Sequence, residues 1–352
     1  IRDVSSTPSR SPAAMDFEGD YVIPGLVELH TDNLERHVMP RPKSYWPTAA
    51  AVMKHDREVA AAGITTVFDA LSVGYANGDV RSAERLKEMS DAVEALSAAG
   101  TLKADHYMHW RCEVSGGSLM SDLEPLLQNS RTAMVSVMDH TPGQRQFASL
   151  EAYYTYYQGK FGYTDAEMEA YMADRKREHE LHAAPNRKQV VEQARDRKLA
   201  IASHDAATRD HVEEAIADGI VVAEFPTTIE AARASHEAGL AVLMGAPNVV
   251  RGKSHSGNVS ARELAGLGLL DILSSDYVPF SLLYGATVLE KTAESITLPD
   301  AISKVTRIPA NQVGLTERGE IAPGKRADLV RYTMTGDMPS VIEVWRNGNR
   351  IA

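Results

Sequence analysis

The sequence predicts an α/β fold: a (β/α)8 barrel of the TIM type, with a small β-unit built from both ends of the chain. Three observations carry this. Eight short apolar runs of strand composition alternate with helical patterns. Several of those helical patterns stop at a glycine just before the next strand. Metal-capable side chains recur where the strands end, and in such a barrel all those ends lie on one face. A doubly wound open sheet is the rival, weakened by the absence of a G-x-G-x-x-G after any early strand.

The expected strands cover residues 21–29, 64–70, 103–113, 134–139, 198–203, 220–225, 240–246 and 269–275. Between them, residues 49–63, 81–100 and 228–239 read as helices ending at Gly63, Gly100 and Gly239. The barrel is expected over 21–315, with a helical insertion at about 148–186 that is first Tyr-rich and then highly charged. That insertion reads as a solvated excursion, with a lid over the site as the functional alternative. Residues 1–20 and 316–352 are expected to form a small β-structure outside the barrel that pairs the two chain ends, the tail carrying turn signals at Pro323–Gly324 and Asn347–Gly348. The chain starts without Met, so it is expected to begin partway into a longer gene product.

The 352 residues suffice for a large core, and the 43% hydrophobic and 24% charged residues are globular values that argue against disorder. A net charge of −11 argues against a general nucleic-acid binder. An anionic substrate would then need locally gathered basic groups. No run approaches the roughly 20 apolar residues of a spanning helix, so no membrane partner is expected. With Cys112 as the single cysteine, neither a disulfide framework nor a multi-cysteine zinc site can form, and a reducing cytoplasm is expected. By alternation Cys112 faces away from Glu113 and reads as a buried small residue rather than a nucleophile.

Candidate metal ligands follow from the strand ends. His30 and Asp32, two apart on an extended strand, point to one side. Glu113, His140, His204 and Asp276 close four further strands. Singly, each is more often a packed or capping residue; jointly, six N and O donors and no thiolate read as a binuclear centre. The set suits zinc, manganese, iron or nickel, with zinc the leading expectation and a bridging carboxylate assigned to Glu113. Two ions about 3.5–4 Å apart would lower the pKa of a water between them and make a hydroxide nucleophile, whose proton Asp276 could accept.

The loop after the seventh strand, APNVVRGKSHSGN, supplies a phosphate handle: Arg251, Lys253, Ser254, His255, Ser256 and Asn258, with Gly252 and Gly257 leaving backbone N–H groups accessible. Arg145, just after His140, is a second basic candidate; Arg111 and Lys160 are weaker ones.

The strings IPGLVELHTDNLERH, SYWPTAAAVMKHDREVAAAGITTVFDA, HWRCE, VSVMDHTPGQRQF, YYQGKF, IASHDAAT, AEFPTTIEAA, LMGAPNVVRGKSHSGNVSA and LGLLDILSSDYVPFSLL resemble the PhnM family of phosphonate metabolism, within the amidohydrolase superfamily. The likeness runs from about residue 19 to 330, and P-G-L-x-E-x-H at 24–30 and G-x-I-x-P-G-K-x-A-D-L-V at 319–330 are signatures of the wider superfamily. It implies a distorted amidohydrolase-type barrel with a small β-sandwich, and metal ligation by His30, Asp32, Glu113, His140, His204 and Asp276. It further implies hydrolysis of α-D-ribose 1-methylphosphonate 5-triphosphate to the 5-phosphate and pyrophosphate, in the carbon–phosphorus lyase pathway. The motif here is H-x-D where H-x-H is commoner, and Glu113 takes the bridging place that a carbamylated lysine holds in many relatives. The rival activity is C–N hydrolysis or deamination of a cyclic amide, which would not require the basic loop. A homodimer is a common arrangement among such barrels, and no interface is legible in the residues.

Overall fold

The structure, a computed structural model, describes residues 1–74, 80–145, 150–254 and 257–352, and of residues 152, 156, 160 and 161 only the backbone. Strand β1 (Tyr21–Pro24) belongs to a small sheet, and eight parallel strands then form the barrel. These are β2 (Leu26–Thr31), β3 (Ile64–Val73), β4 (Asp105–Glu113), β5 (Thr132–Met138), β6 (Ala200–His204), β7 (Val222–Glu224), β8 (Ala241–Gly245) and β9 (Ile272–Ser274), hydrogen-bonded in chain order. A parallel bridge between Thr31 and Asp276 brings β9 back to β2, and the Thr31 hydroxyl donates to the Asp276 carbonyl at 2.6 Å. The antiparallel unit, β1 with β10 (Leu329–Thr335), β11 (Met338–Arg346) and β12 (Asn349–Arg350), is one four-stranded sheet, and residues 1–20 contribute no strand to it.

Helices cover the barrel. After β2 come α1 (Asn33–Val38) and α2 (Thr48–Ala61); after β3, α3 (Ala83–Ala98); after β4, α4 (Leu119–Leu126). After β5 come α5 (Leu150–Phe161) and α6 (Asp165–Asp196), then α7 (Arg209–Ala217) after β6 and α8 (Ile229–Glu237) after β7. The series ends with α9 (Ala246–Arg251) and α10 (Ala261–Gly266) after β8, and α11 (Ser281–Thr292), α12 (Leu298–Ser303) and α13 (Arg307–Gln312) after β9. Gly63, Gly100 and Gly239, read as helix stops, all have positive φ, as a left-handed stop requires.

The run expected as one strand over 21–29 is split at Gly25, where the chain leaves the small sheet and enters the barrel. Only glycine fits there: a Cβ would lie 2.3 Å from Thr65 Oγ1 and 2.9 Å from Asp328 Cβ. The Asn347–Gly348 turn joins β11 to β12 with positive φ at both residues, as a two-residue hairpin demands.

The barrel interior is layered. Val27, Leu29, Phe68, Met134, Ala202, Val222, Leu243 and Ile272 form an apolar cluster. Towards the strand ends the same interior holds buried His109, Ser136, Glu224 and His30. Outside the wall, α2 is keyed to β3 and β4 by a buried ionic knot. His106 Nδ1 donates to Asp69 Oδ2 at 2.8 Å and its Nε2 to Asp56 Oδ1 at 3.3 Å, while His55 Nε2 donates to Asp69 Oδ1 at 2.7 Å. Burial opposes the charged imidazole, yet the two carboxylates outweigh it and raise His106 to about 9. No helix of the described residues is long and apolar enough to cross a membrane.

Candidate metal and phosphate site

A cleft with ≈ 980 Å³ of space, part of it open to solvent, lies at the C-terminal mouth of the barrel. Its inner end is lined by His30, Asp32, His204, Asp205, Asp276 and Arg111; its rim by Arg251, Lys253, Ser254, Asn258 and Asn248; one wall is apolar, with Phe225, Met244 and Val259.

The inner groups are held by the strand ends. His30 is the penultimate residue of β2, and Asp32 stands just before α1 with no side-chain hydrogen bond to the helix. Glu28 ties this segment to β9: its carboxylate accepts from the His30 backbone N–H at 2.6 Å and from the Ser275 N–H. The ring of His30 is set by Glu224, whose Oε1 accepts from His30 Nδ1 at 2.8 Å, and the Ser136 hydroxyl donates to Glu224 Oε2 at 2.7 Å. Burial works against the Glu224 anion, but His30 and His109 outweigh it and hold the carboxyl well below its ordinary range. With Nδ1 committed to Glu224, the Nε2 of His30 is the nitrogen left for a ligand.

His204 ends β6, and Asp205 follows it with φ 57°; Asp276 has φ 55°. Both aspartates hold left-handed backbone that non-glycine residues seldom adopt, a strain that concentrates at functional sites. One ligand atom each from His140, His204 and Asp205 lies within 4.8 Å of the other two. Asp205 Oδ2 stands 2.8 Å from His204 Nδ1 and 3.4 Å from His140 Nε2. Glu113 is paired with His140, whose Nδ1 lies 3.0 Å from Glu113 Oε2, and accepts from Ser115 Oγ at 2.7 Å. Asp205 thus lies between two imidazoles, and Glu113 stands against one of them.

These residues fit a metal centre. Among the described residues, His204 Nε2 and Asp32 Oδ1 are buried with no hydrogen-bond partner, the state of donor atoms that await a cation. Burial, then the neighbouring Asp32, pushes Asp276 up to about 7; burial, then Glu35, raises Asp32 as well. Two carboxylates raised in this way lack positive charge, and a divalent ion supplies it.

Of the expected site residues, the structure gathers His30, Asp32, His204, Asp276, Arg251, Lys253, Ser254 and Asn258 around one cleft. Glu113 and His140 stand beside Asp205, next to that cleft. Arg145 is not brought to it: its guanidinium pairs with Glu214 of α7, alongside Arg187, which lies 3.0 Å from the same carboxylate. His255, Ser256 and the side chain of Lys160 lie outside the described residues. Cys112 is fully buried, and burial pushes its thiol above the ordinary range. The sequence reading passes over Asp205 and Glu224, although signals exist: a His-Asp pair at 204–205, and Glu224 as the charged end of the apolar run IVVAEF.

The insertion is fastened to this site. Asn186 of α6 donates to the carbonyls of Val114 at 3.0 Å and Gly116 at 2.9 Å, just after Glu113, and His179 Nδ1 lies 2.8 Å from Asp139, which precedes His140. Tyr153, Tyr157 and Met168 pack α5 onto α6.

Residues 57–352 match the amidohydrolase family model. The chain is 48% identical to alpha-D-ribose 1-methylphosphonate 5-triphosphate diphosphatase of Escherichia coli (strain K12), over 100% of this chain and 93% of that one. Among solved structures, 5-methylcytosine deaminase from Klebsiella pneumoniae has a TM-score of 0.65 at 14% identity, covering 99% of this chain and 90% of that chain. An adenine deaminase has a TM-score of 0.56 at 16% identity, covering 99% and 92%. At such identities the likeness carries the fold alone. The chain belongs to the amidohydrolase family, and it is a metal-dependent hydrolase of the barrel type.

Proposed function

We propose that this enzyme hydrolyses α-D-ribose 1-methylphosphonate 5-triphosphate to the 5-phosphate and pyrophosphate, within the carbon–phosphorus lyase route of phosphonate breakdown. The observation that carries the reading is one cleft holding two kinds of group: an imidazole–carboxylate cluster at its inner end and the cations Arg251 and Lys253 at its rim. A neutral cyclic amide would use only the first. The full-length likeness to the diphosphatase supports the name of the substrate.

Two divalent ions, zinc foremost, would be held by His30, Asp32 and Asp276 on one side and by His140, His204 and Asp205 on the other, with Glu113 against His140. Bound there, they would supply water activation and charge compensation for the phosphoryl oxygens. Asp276 takes the proton of the attacking water, whose oxygen bonds the α-phosphorus as the bond from that phosphorus to the bridging oxygen of pyrophosphate breaks. Arg251 and Lys253 hold the departing phosphates, with Ser254 and Asn258 as hydrogen-bonding neighbours. A cytoplasmic setting fits the single buried cysteine.

The test is pyrophosphate release from the triphosphate, measured with metal content on the same sample, for the native chain and Asp276→Asn. Native turnover with a loss of about 10²-fold or more in the variant supports the reading. Metal-loaded native protein that leaves the triphosphate intact overturns it.

A further inference from the structure

Arg111 stands out from the other arginines of the barrel wall. It lies on β4 two residues before Glu113, so the pleat turns it towards the interior with Tyr107 and His109, while Met108, Trp110 and Cys112 pack outward among the helices. It lines the inner end of the cleft beside His30, Asp32 and Asp276. Among the described residues no carboxylate or hydrogen-bond acceptor holds its guanidinium, and its Nε is shut off from solvent with no partner. Arginines this enclosed are ordinarily paired: Arg318 with Asp105 at 3.0 Å and Arg187 with Asp218 at 2.6 Å show the usual arrangement in this same protein. A planar five-donor fork left open into a cleft is built for an oxyanion.

We propose that Arg111 is a catalytic residue that binds the non-bridging oxygens of the α-phosphoryl group under attack, a task distinct from that of the rim cations Arg251 and Lys253. The identity of that group rests on the phosphoanhydride reading above; the anion subsite itself rests on the geometry of Arg111. The position separates the two tasks. Arg251 and Lys253 are exposed, beyond β8, where they reach a leaving group. Arg111 sits among the candidate metal ligands, where charge develops on the reacting phosphorus.

A merely structural role predicts something different. If Arg111 only compensated Asp32 and Asp276, its removal would leave the affinity for anions unchanged. As an oxyanion ligand, its removal deletes an anion contact and also removes a repulsion felt by a divalent ion, so metal affinity holds or rises.

The experiment compares native, Arg111→Met and Arg111→Lys proteins, each metal-loaded. Metal affinity and inorganic phosphate binding are read by calorimetry, and kcat and KM with the triphosphate by pyrophosphate release. Arg111→Met is expected to keep or tighten its metal, to bind phosphate at least about 10-fold more weakly, and to lose about 10²–10³-fold in kcat. Arg111→Lys, which keeps charge and bulk but not the fork, is expected to fall between and guards against a folding defect. Native phosphate affinity in a folded, metal-loaded Arg111→Met overturns the proposal. Weakened phosphate binding in that variant, with native protein inactive on the triphosphate, keeps the subsite and overturns the substrate reading instead.

Discussion

Glu224 Oε1 lies 2.8 Å from His30 Nδ1, with both side chains buried at the inner end of the cleft. The carboxylate fixes which ring nitrogen carries the proton and which way the ring faces, so the donor side of His30 is decided by the group behind it. Glu224→Gln keeps the shape and removes the charge. Metal affinity is expected to fall about 10–100-fold, the usual cost of losing such a partner. Titration against a competing chelator checks this, and a native affinity in the variant would refute the role.

The rim acts on binding rather than on the metal. Lys253→Ala and Arg251→Ala are each expected to raise KM for the triphosphate several-fold to about 10-fold, the effect of losing one charge-assisted contact. Metal content should stay at the native value. Steady-state kinetics with metal analysis on the same preparations decides; unchanged KM in both variants removes the loop from phosphate binding.

The buried knot around His106 makes stability depend on pH. His106 is raised to about 9 against an ordinary value near 6.5, so its contribution is complete below about pH 6.5 and is lost as pH rises through about 9. Burial opposes the Asp69 anion, but His106 and His55 outweigh it and lower that carboxyl, so its contribution is present above the ordinary carboxylate range and lost as pH falls through its folded value. Thermal unfolding between pH 6 and 10 is expected to show an alkaline decline on the order of 3 kcal/mol from this group. His106→Gln should flatten that decline and cost about 3–5 kcal/mol at pH 7, by leaving two buried carboxylates short of a cation. An identical alkaline decline in the variant would assign the effect elsewhere.

Gly25 is a packing constraint at the junction of the two sheets. Gly25→Ala puts a methyl group 2.3 Å from Thr65 Oγ1, and overpacking of that kind costs about 1–3 kcal/mol. Chemical denaturation reads it directly, and a native midpoint would show that the junction yields freely.

Most of the barrel is legible in the sequence because each strand is a short apolar run and several helices stop at a glycine with positive φ. Gly63, Gly100 and Gly239 are such stops. What is not legible depends on tertiary contacts. Nothing local announces that β1 belongs to a different sheet from β2, since the division is made by the close approach of Thr65 and Asp328, distant in sequence. The insertion extends to Asp196, ten residues beyond the expected end, because α6 runs on through Pro185 and docks by Asn186. In the site, His30, Asp32, His204 and Asp276, which line the cleft, are legible from their positions at strand ends. Asp205 is not, because adjacent residues on a strand point to opposite sides; the left-handed turn at φ 57° swings it back beside His204. Arg145 is paired away from the cleft for a reason invisible in one dimension, the presence of Glu214 on α7.

The central claim is attack at the α-phosphorus with pyrophosphate leaving. Phosphorus NMR of the reaction run in 18O-water tests it most directly, since a bound 18O shifts the resonance of the phosphorus that was attacked. Label is expected in the ribose 5-phosphate, with unlabelled pyrophosphate and an untouched phosphonate signal. Label in pyrophosphate, or release of inorganic phosphate in its place, would contradict it.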